Sequence, residues 1–157
     1  MSFLYEKVKR NALIRVAITG APAAQQFTAI VEEVYSARDF EARVGSEIRF
    51  VGKPPHWGQR SLAVGQRALL FIRRISGMWY EDAWEGDLPI EEIDGAEYAL
   101  YRAAYERVLT FDSLPDSLKV GCRPHPTLPM TTCFNLATLE FHLNSLIDRV
   151  YSEGGMK

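Results

Sequence analysis

The 157-residue chain has little that would identify a secreted, membrane or cofactor-bearing protein. No apolar run approaches the ~20 residues that a membrane-spanning helix needs. The opening segment, "MSFLYEKVKRNALIRVAITGA", has early cations, but Arg15 interrupts its short apolar run and Ile14 to Ile18 alternate. It therefore reads as a strand rather than a signal peptide. Two cysteines are too few for a disulfide scaffold, and without a signal peptide they are expected to be reduced thiols in a cytoplasmic protein. There is no G-x-G-x-x-G, no phosphate loop, no H-E-x-x-H, no C-x-x-C and no G-x-S-x-G, so no cofactor is expected. Between Trp79 and Tyr98 there is no Lys or Arg at all.

What is present suits a folded protein. An apolar fraction of 47% and a charged fraction of 24% exclude a disordered chain, and the length matches one domain, residues 1–157. The net charge of −2 conceals a segregation. Residues 1–78 hold twelve Lys/Arg against six Asp/Glu, residues 79–98 hold eight acids, and the remainder balances.

The first part, residues 10–84, reads as strands. Ala12, Ile14, Val16 and Ile18 share one face at period two. In "QQFTAIVEEVYSA", Phe27, Ala29 and Val31 do the same until Glu32-Glu33 breaks the pattern, which predicts a bulge there. "SEIRFVGK" is a third short strand closed by Pro54-Pro55, and "RALLFIRRIS" is apolar enough for a strand covered on both faces. "MWYEDAW" is the fifth candidate. The second part, residues 94–152, reads as helical. Asp94 and Glu97 have capping-box spacing ahead of Tyr98, Tyr101, Tyr105 and Val108. A second helix is predicted from Thr131 or Thr132, with Leu136, Leu139, Leu143, Leu146 and Val150 as its apolar stripe and Gly154-Gly155 as its end. The fold class expected is α+β: a small, mostly antiparallel sheet or partial barrel followed by two C-terminal helices.

The segments "FTAIVEEVY" and "VGQRALLFI", with five short strands and a bulged second strand over about residues 12–84, resemble small Greek-key barrels of the OB type, including netrin-like inhibitor modules. The resemblance implies a barrel. It carries over no functional residue, since fold does not imply function.

Several constellations could carry chemistry. Cys122, His125 and Cys133 are zinc-type ligands, with His56 or His142 as a fourth, but the spacing lacks paired C-x₂₋₄-C ligands and no metal site is expected. Cys133 at a helix start could be an activated thiol with His125 or His56 as base, against the plainer reading of a small packed hydrophobe. Trp57 reads as a lid over a barrel end. Arg38, Arg43, Arg49, Lys53, Arg60, Arg67, Arg73 and Arg74 could line a groove with Trp57 and Phe50 stacking bases. A sequence pI of 5.9 argues against nucleic acid as the partner.

The acidic stretch is the strongest candidate. Glu81 with Glu85, or Asp82 with Asp87, could be a catalytic carboxylate pair. A binding surface fits better: Trp79 and Trp84 as anchors among Glu81, Asp82, Glu85, Asp87, Glu91 and Glu92, steering a basic protein partner. The expected function is thus a non-enzymatic protein-binding module. Its most concrete form is a small cytoplasmic inhibitor or immunity protein that neutralises a basic, toxin-like partner. The alternative is a small enzyme or ligand-binding domain using a Trp/carboxylate cleft.

Overall fold

The computed structural model describes residues 4–53, 62–82, 86–102 and 114–154. In chain order the elements are α1 (Tyr5–Arg10), β1 (Ala12–Ala23), β2 (Gln26–Ser36), β3 (Glu47–Val51), β4 (Arg67–Ile75), β5 (Met78–Glu81), β6 (Asp87–Ile93), β7 (Ala96–Arg102), α2 (Asp116–Lys119), β8 (Arg123–Pro124), β9 (Thr131–Asn135) and α3 (Leu136–Gly154). The first five strands close a barrel in the order β1-β2-β3-β5-β4, with β4 returning to β1. Every pair in this ring is antiparallel except β3–β5, which meets in parallel at Val51 and Tyr80. This is the OB-like α+β barrel that the strand pattern implied. Strands β6, β7, β9 and β8 extend the sheet from β4.

The two faces of β4 explain its unbroken apolar run. Ala68, Leu70 and Ile72 fill the barrel with Ile14, Val16, Phe27 and Phe50. Leu69 and Phe71 face the other way, into a second core beneath α1 and α3. Leu136, Leu139, Leu143, Leu146 and Val150 are all buried in that second core, as the stripe predicted.

The bulge predicted near Glu32 is present. Arg15 pairs with Glu33 while Val16 pairs with Val31, which leaves Glu32 as the extra residue. A second shift leaves Tyr35 extra between Val34, paired with Ile14, and Ser36, paired with Leu13. Bulges re-aim side chains, and both residues meet Arg15: Glu32 at 3.0 Å from Nε and the Tyr35 hydroxyl at 3.0 Å from Nη1. Arg15 also reaches Glu140 on α3 at 2.6 Å, and Tyr35 donates to the same carboxylate. The bulges thus tie the barrel to the helix.

The helical reading of residues 94–152 needs correction. The segment from Asp94 opens a hairpin, not a helix: β6 and β7 pair antiparallel around Asp94-Gly95. Both turn residues have left-handed φ, 52° and 84°, as a two-residue type I′ turn requires. Of the expected helix, Tyr105 and Val108 lie outside the described residues. The C-terminal helix begins at Leu136 rather than Thr131 or Thr132, because Thr131–Asn135 pairs with β7 as a strand. Asn135 then accepts the Thr138 amide at 3.2 Å, a cap for the helix that follows.

Candidate functional site

The acidic stretch does not form one surface. Strand parity and the step from β5 to β6 divide it into three parts, and of the acids expected on the binding surface Glu81, Asp82 and Asp87 are buried instead. Trp84 and Glu85 lie outside the described residues.

The first part points inward. Glu81 ends β5 and Asp87 opens β6. Lys53, just beyond β3, places its amine 2.9 Å from each carboxylate, and Arg102 at the end of β7 reaches Asp87 at 3.2 Å. All four meet at the seam between the barrel and the sheet extension. The side chains of Lys53, Glu81 and Asp87 are each under a tenth exposed. The close approach depends on Gly86, where a Cβ would lie 2.3 Å from the Asp82 carbonyl oxygen and 2.6 Å from Glu81 Cγ. Asp82 is also buried. It accepts from Asn11 at 2.7 Å and lies 3.6 Å from the Lys7 amine, which fastens α1 to the sheet.

The electrostatics of this cluster separate its two acids. Burial, a hydrogen bond with Asp87 and the charge of Asp87 push the Glu81 carboxyl well above its ordinary range, against the pull of Lys53. Burial also acts on Asp87, but the hydrogen bond from Glu81 and the charges of Lys53 and Arg102 outweigh it and hold Asp87 low. Burial alone would lower the Lys53 amine, yet Asp87 and Glu81 raise it. The environment thus drives the two carboxyls apart, with Glu81 holding its proton more tightly than an ordinary carboxyl and Asp87 less tightly. Like charges this close cannot both ionise cheaply.

The second part points outward. Glu91 and Glu92 are exposed on β6. Glu91 lies 3.0 Å from Nε2 of His125. Nδ1 of His125 accepts the amides of Thr127 and Leu128 at 3.1 and 3.0 Å, so the imidazole organises its proline-rich loop from one nitrogen and meets Glu91 with the other. Glu92 sits directly opposite Glu97 across the hairpin. Glu97 bonds to Arg67, and Asp94 at the turn pairs with Arg123 at 2.9 Å.

The third part is Trp79, half-buried on β5. Its ring meets Phe40 edge-on at 5.2 Å and lies 5.0 Å below the Arg74 guanidinium. Arg10, Arg38 and Arg73 gather around the same place, with Asp39, about a cavity of about 310 Å³.

The remaining sequence candidates resolve more simply. Phe50 is fully buried and cannot stack bases; Lys53 belongs to the buried cluster; Arg67 pairs with Glu32 and Glu97. His56, Trp57 and Arg60 lie outside the described residues. Among the described residues no group of three His, Cys, Asp or Glu could hold a metal ion. Cys133 lies inside β9, not at a helix start, against Ile93 and Leu100. Burial first, and then the Glu91 charge, push its thiol up to about 11, the opposite of an activated nucleophile. In the native protein at pH 7 Cys133 is expected to resist a thiol reagent such as DTNB, reacting only after denaturation. Rapid labelling of Cys133, read by peptide mass, would show that β9 opens.

Two features were beyond the reach of sequence reasoning. Lys53 lies well before the acidic stretch in the chain and is delivered to it by barrel closure, while Arg102, just after the stretch, reaches Asp87 only because the β6–β7 hairpin turns the chain back. Arg10 joins Arg73 and Arg74 because β1 pairs with β4. The one available signal was the Arg73-Arg74 pair at the end of an apolar strand.

Comparison of the chain with protein-family models, with curated proteins and with solved structures gives no match. The likeness to OB-type modules therefore stands at the level of the barrel. No helix among the described residues is long and apolar enough to cross a membrane.

Proposed function

We propose that the chain is a non-enzymatic protein-binding module whose β6–β7 hairpin meets a basic partner. The observation that carries this reading is the placement of Glu92 opposite Glu97 on an exposed hairpin that also bears Glu91 and Asp94. Like charges directly across a strand pair are destabilising, and of these two acids Arg67 pairs with Glu97 alone, with no ion-pair partner at Glu92 among the described residues. A surface that keeps them despite that cost suits a cationic partner, for which dense carboxylates speed encounter. The buried state of Glu81 and Asp87 argues against the catalytic alternative, because a Lys already neutralises the pair and substrate has no direct access. In its most concrete form the module is an inhibitor, acting in the cytoplasm, that neutralises a basic, toxin-like protein.

The test separates binding from folding. Glu92→Lys replaces a repulsive cross-strand pair with an attractive one, so stability should rise by roughly 0.2–1 kcal/mol. Association with a partner captured by the wild-type protein should instead slow, with a flatter salt dependence, and Glu91→Lys/Glu92→Lys should slow it further. Stopped-flow or surface-based kinetics would read the rates. Unchanged association by both variants would make the hairpin a solvated edge and overturn the reading.

A further inference from the structure

We propose that the β4–β5 hairpin is a docking tip that enters an anionic lipid surface end-on. The contact is with the surface of a bilayer and needs no spanning segment. It goes beyond the partner of the acidic hairpin and does not rest on it. Ile72, opposite Ala12, is the last β4 residue paired with β1, and beyond it the strand pairs with β5 alone among the described residues. Residues 73–78 are all exposed. Ser76 and Gly77 turn the chain with left-handed φ of 51° and 81°, the type I′ geometry of a two-residue hairpin.

The side chains are graded along this hairpin. At its extremity Ile75 and Met78 oppose each other across the strand pair, 46% and 48% exposed. One step back Arg74 opposes Trp79, and two steps back Arg73 opposes Tyr80. Successive strand residues point to opposite faces, so the two arginines flank the hairpin on both sides. Neither has a carboxylate partner among the described residues. Arg74 instead lies over the Trp79 ring, 5.0 Å from its centroid. Trp79 and Tyr80 are half-buried where the hairpin joins the barrel.

A bilayer surface has the same grading. Apolar chains lie beneath a layer of phosphates, and Trp and Tyr favour the boundary between them. A strand rises ~3.3 Å per residue, so Arg73 sits roughly 7 Å behind the apolar pair. That matches the roughly 5–10 Å to which interfacial segments bury their apolar side. Cations on both faces suit a headgroup layer that surrounds an inserted tip, whereas a protein surface would engage one face. Nucleic acid fits less well, because the outermost side chains are apolar and Trp79 is already occupied by Arg74 and Phe40. The charge of the whole molecule suits the same approach. Strand β6 runs antiparallel to β4 and passes Arg67 at Ile90, so the acidic β6–β7 turn lies at the opposite end of the sheet. Docking by the β4–β5 tip keeps those carboxylates away from the anionic surface.

Co-sedimentation of the full chain with vesicles, in the absence of any partner protein, tests the tip independently of the acidic hairpin. Phosphatidylcholine vesicles containing roughly one-third phosphatidylserine should show saturable binding that weakens as salt rises. Pure phosphatidylcholine vesicles should bind at least about tenfold more weakly. Ile75→Ser/Met78→Ser and Arg73→Ala/Arg74→Ala should each lower affinity at least about fivefold. These four positions are exposed, so thermal unfolding should change little. Arg73→Lys/Arg74→Lys should retain most of the binding, because a fluid headgroup layer responds to charge rather than to a fixed fork. No binding at millimolar lipid, or equal binding to the neutral vesicles, would overturn the proposal. Full affinity in Ile75→Ser/Met78→Ser would also overturn it, since no insertion would then be needed. Displacement from the vesicles by millimolar glycerophosphoserine, by a short single-stranded DNA or by poly-glutamate would overturn it in favour of a free phosphate ester, a nucleic acid or an acidic protein respectively.

Discussion

The double variant Glu81→Gln/Asp87→Asn is expected to lose about 3–5 kcal/mol of stability at pH 7, the cost of leaving a buried charge uncompensated. Each single variant should lose less than about 2 kcal/mol, so that the pair shows strong coupling. The reason lies in the geometry around Lys53. Its amine is 2.9 Å from both carboxylates. Glu81→Gln removes the carboxyl that holds its proton the more tightly, so Lys53 keeps Asp87, the stronger anion of the two. Asp87→Asn removes the anion, but Glu81 is then released from its like-charged neighbour and can ionise in its place. Only the double variant leaves the buried amine without an anion. Urea unfolding of the four proteins tests this directly. Small, additive losses would show that water reaches the cluster and screens it.

The same cluster makes stability depend on pH in opposite directions. Folded Glu81 keeps a proton that the unfolded chain releases above about pH 4.3, so stability falls as pH rises from there through the raised folded value. Asp87 has the reverse sign. Its contribution is present above about pH 3.9 and is lost as pH falls through the lowered folded value. Glu81→Gln should erase the decline on the alkaline side and leave the acid limb in place.

Leu143→Ala is expected to cost about 2–5 kcal/mol, the range for emptying a packed site of one leucine. Leu143 has no exposed surface and lies in the core between α3 and the outer face of the sheet. A loss of that size should lower the melting temperature by several degrees, since ~1 kcal/mol corresponds to about 2–4 °C in a domain of this length. Phe141, two residues earlier on the same helix, is 71% exposed, so Phe141→Ala should change stability by less than about 0.5 kcal/mol. An unchanged urea midpoint for Leu143→Ala would mean that α3 does not dock as described.

The elements most legible in the sequence are those whose own pattern contains the answer. The period-two set of β1, the two-sided apolar run of β4 and the three-four stripe of α3 each declare their buried faces without reference to anything else. The extra residue at Glu32 showed as a break in parity, and the structure places a bulge there. Residues 94–102 were misread because two local signals compete in them. Asp94 to Glu97 has the spacing of a capping box, while Asp94-Gly95 is a type I′ turn dipeptide. Neither signal decides alone. The strand wins because β9 pairs along the far edge of β7, from Tyr98 with Asn135 to Arg102 with Thr131, and because Ala99 and Leu100 are both buried there.

The acidic stretch shows the same division at the level of the site. Its composition was plain, but whether a given acid faces water was not. A strand alternates its faces, and the step through Asp82 and Gly86, both bonded to Phe71, resets that alternation between β5 and β6. Glu81 and Asp87 turn inward because Lys53 and Arg102 meet them there; Glu91 and Glu92 remain outside. The sequence by itself determined the strand-rich barrel, the docking face of the last helix and the charge carried by each segment, because these depend on local periodicity and counting. Tertiary structure alone decided which acids are buried and which arginines share a cavity. Those outcomes depend on barrel closure, which brings together residues as distant in the chain as Asn11 and Asp82, 71 positions apart, and no local pattern encodes the energy of that meeting.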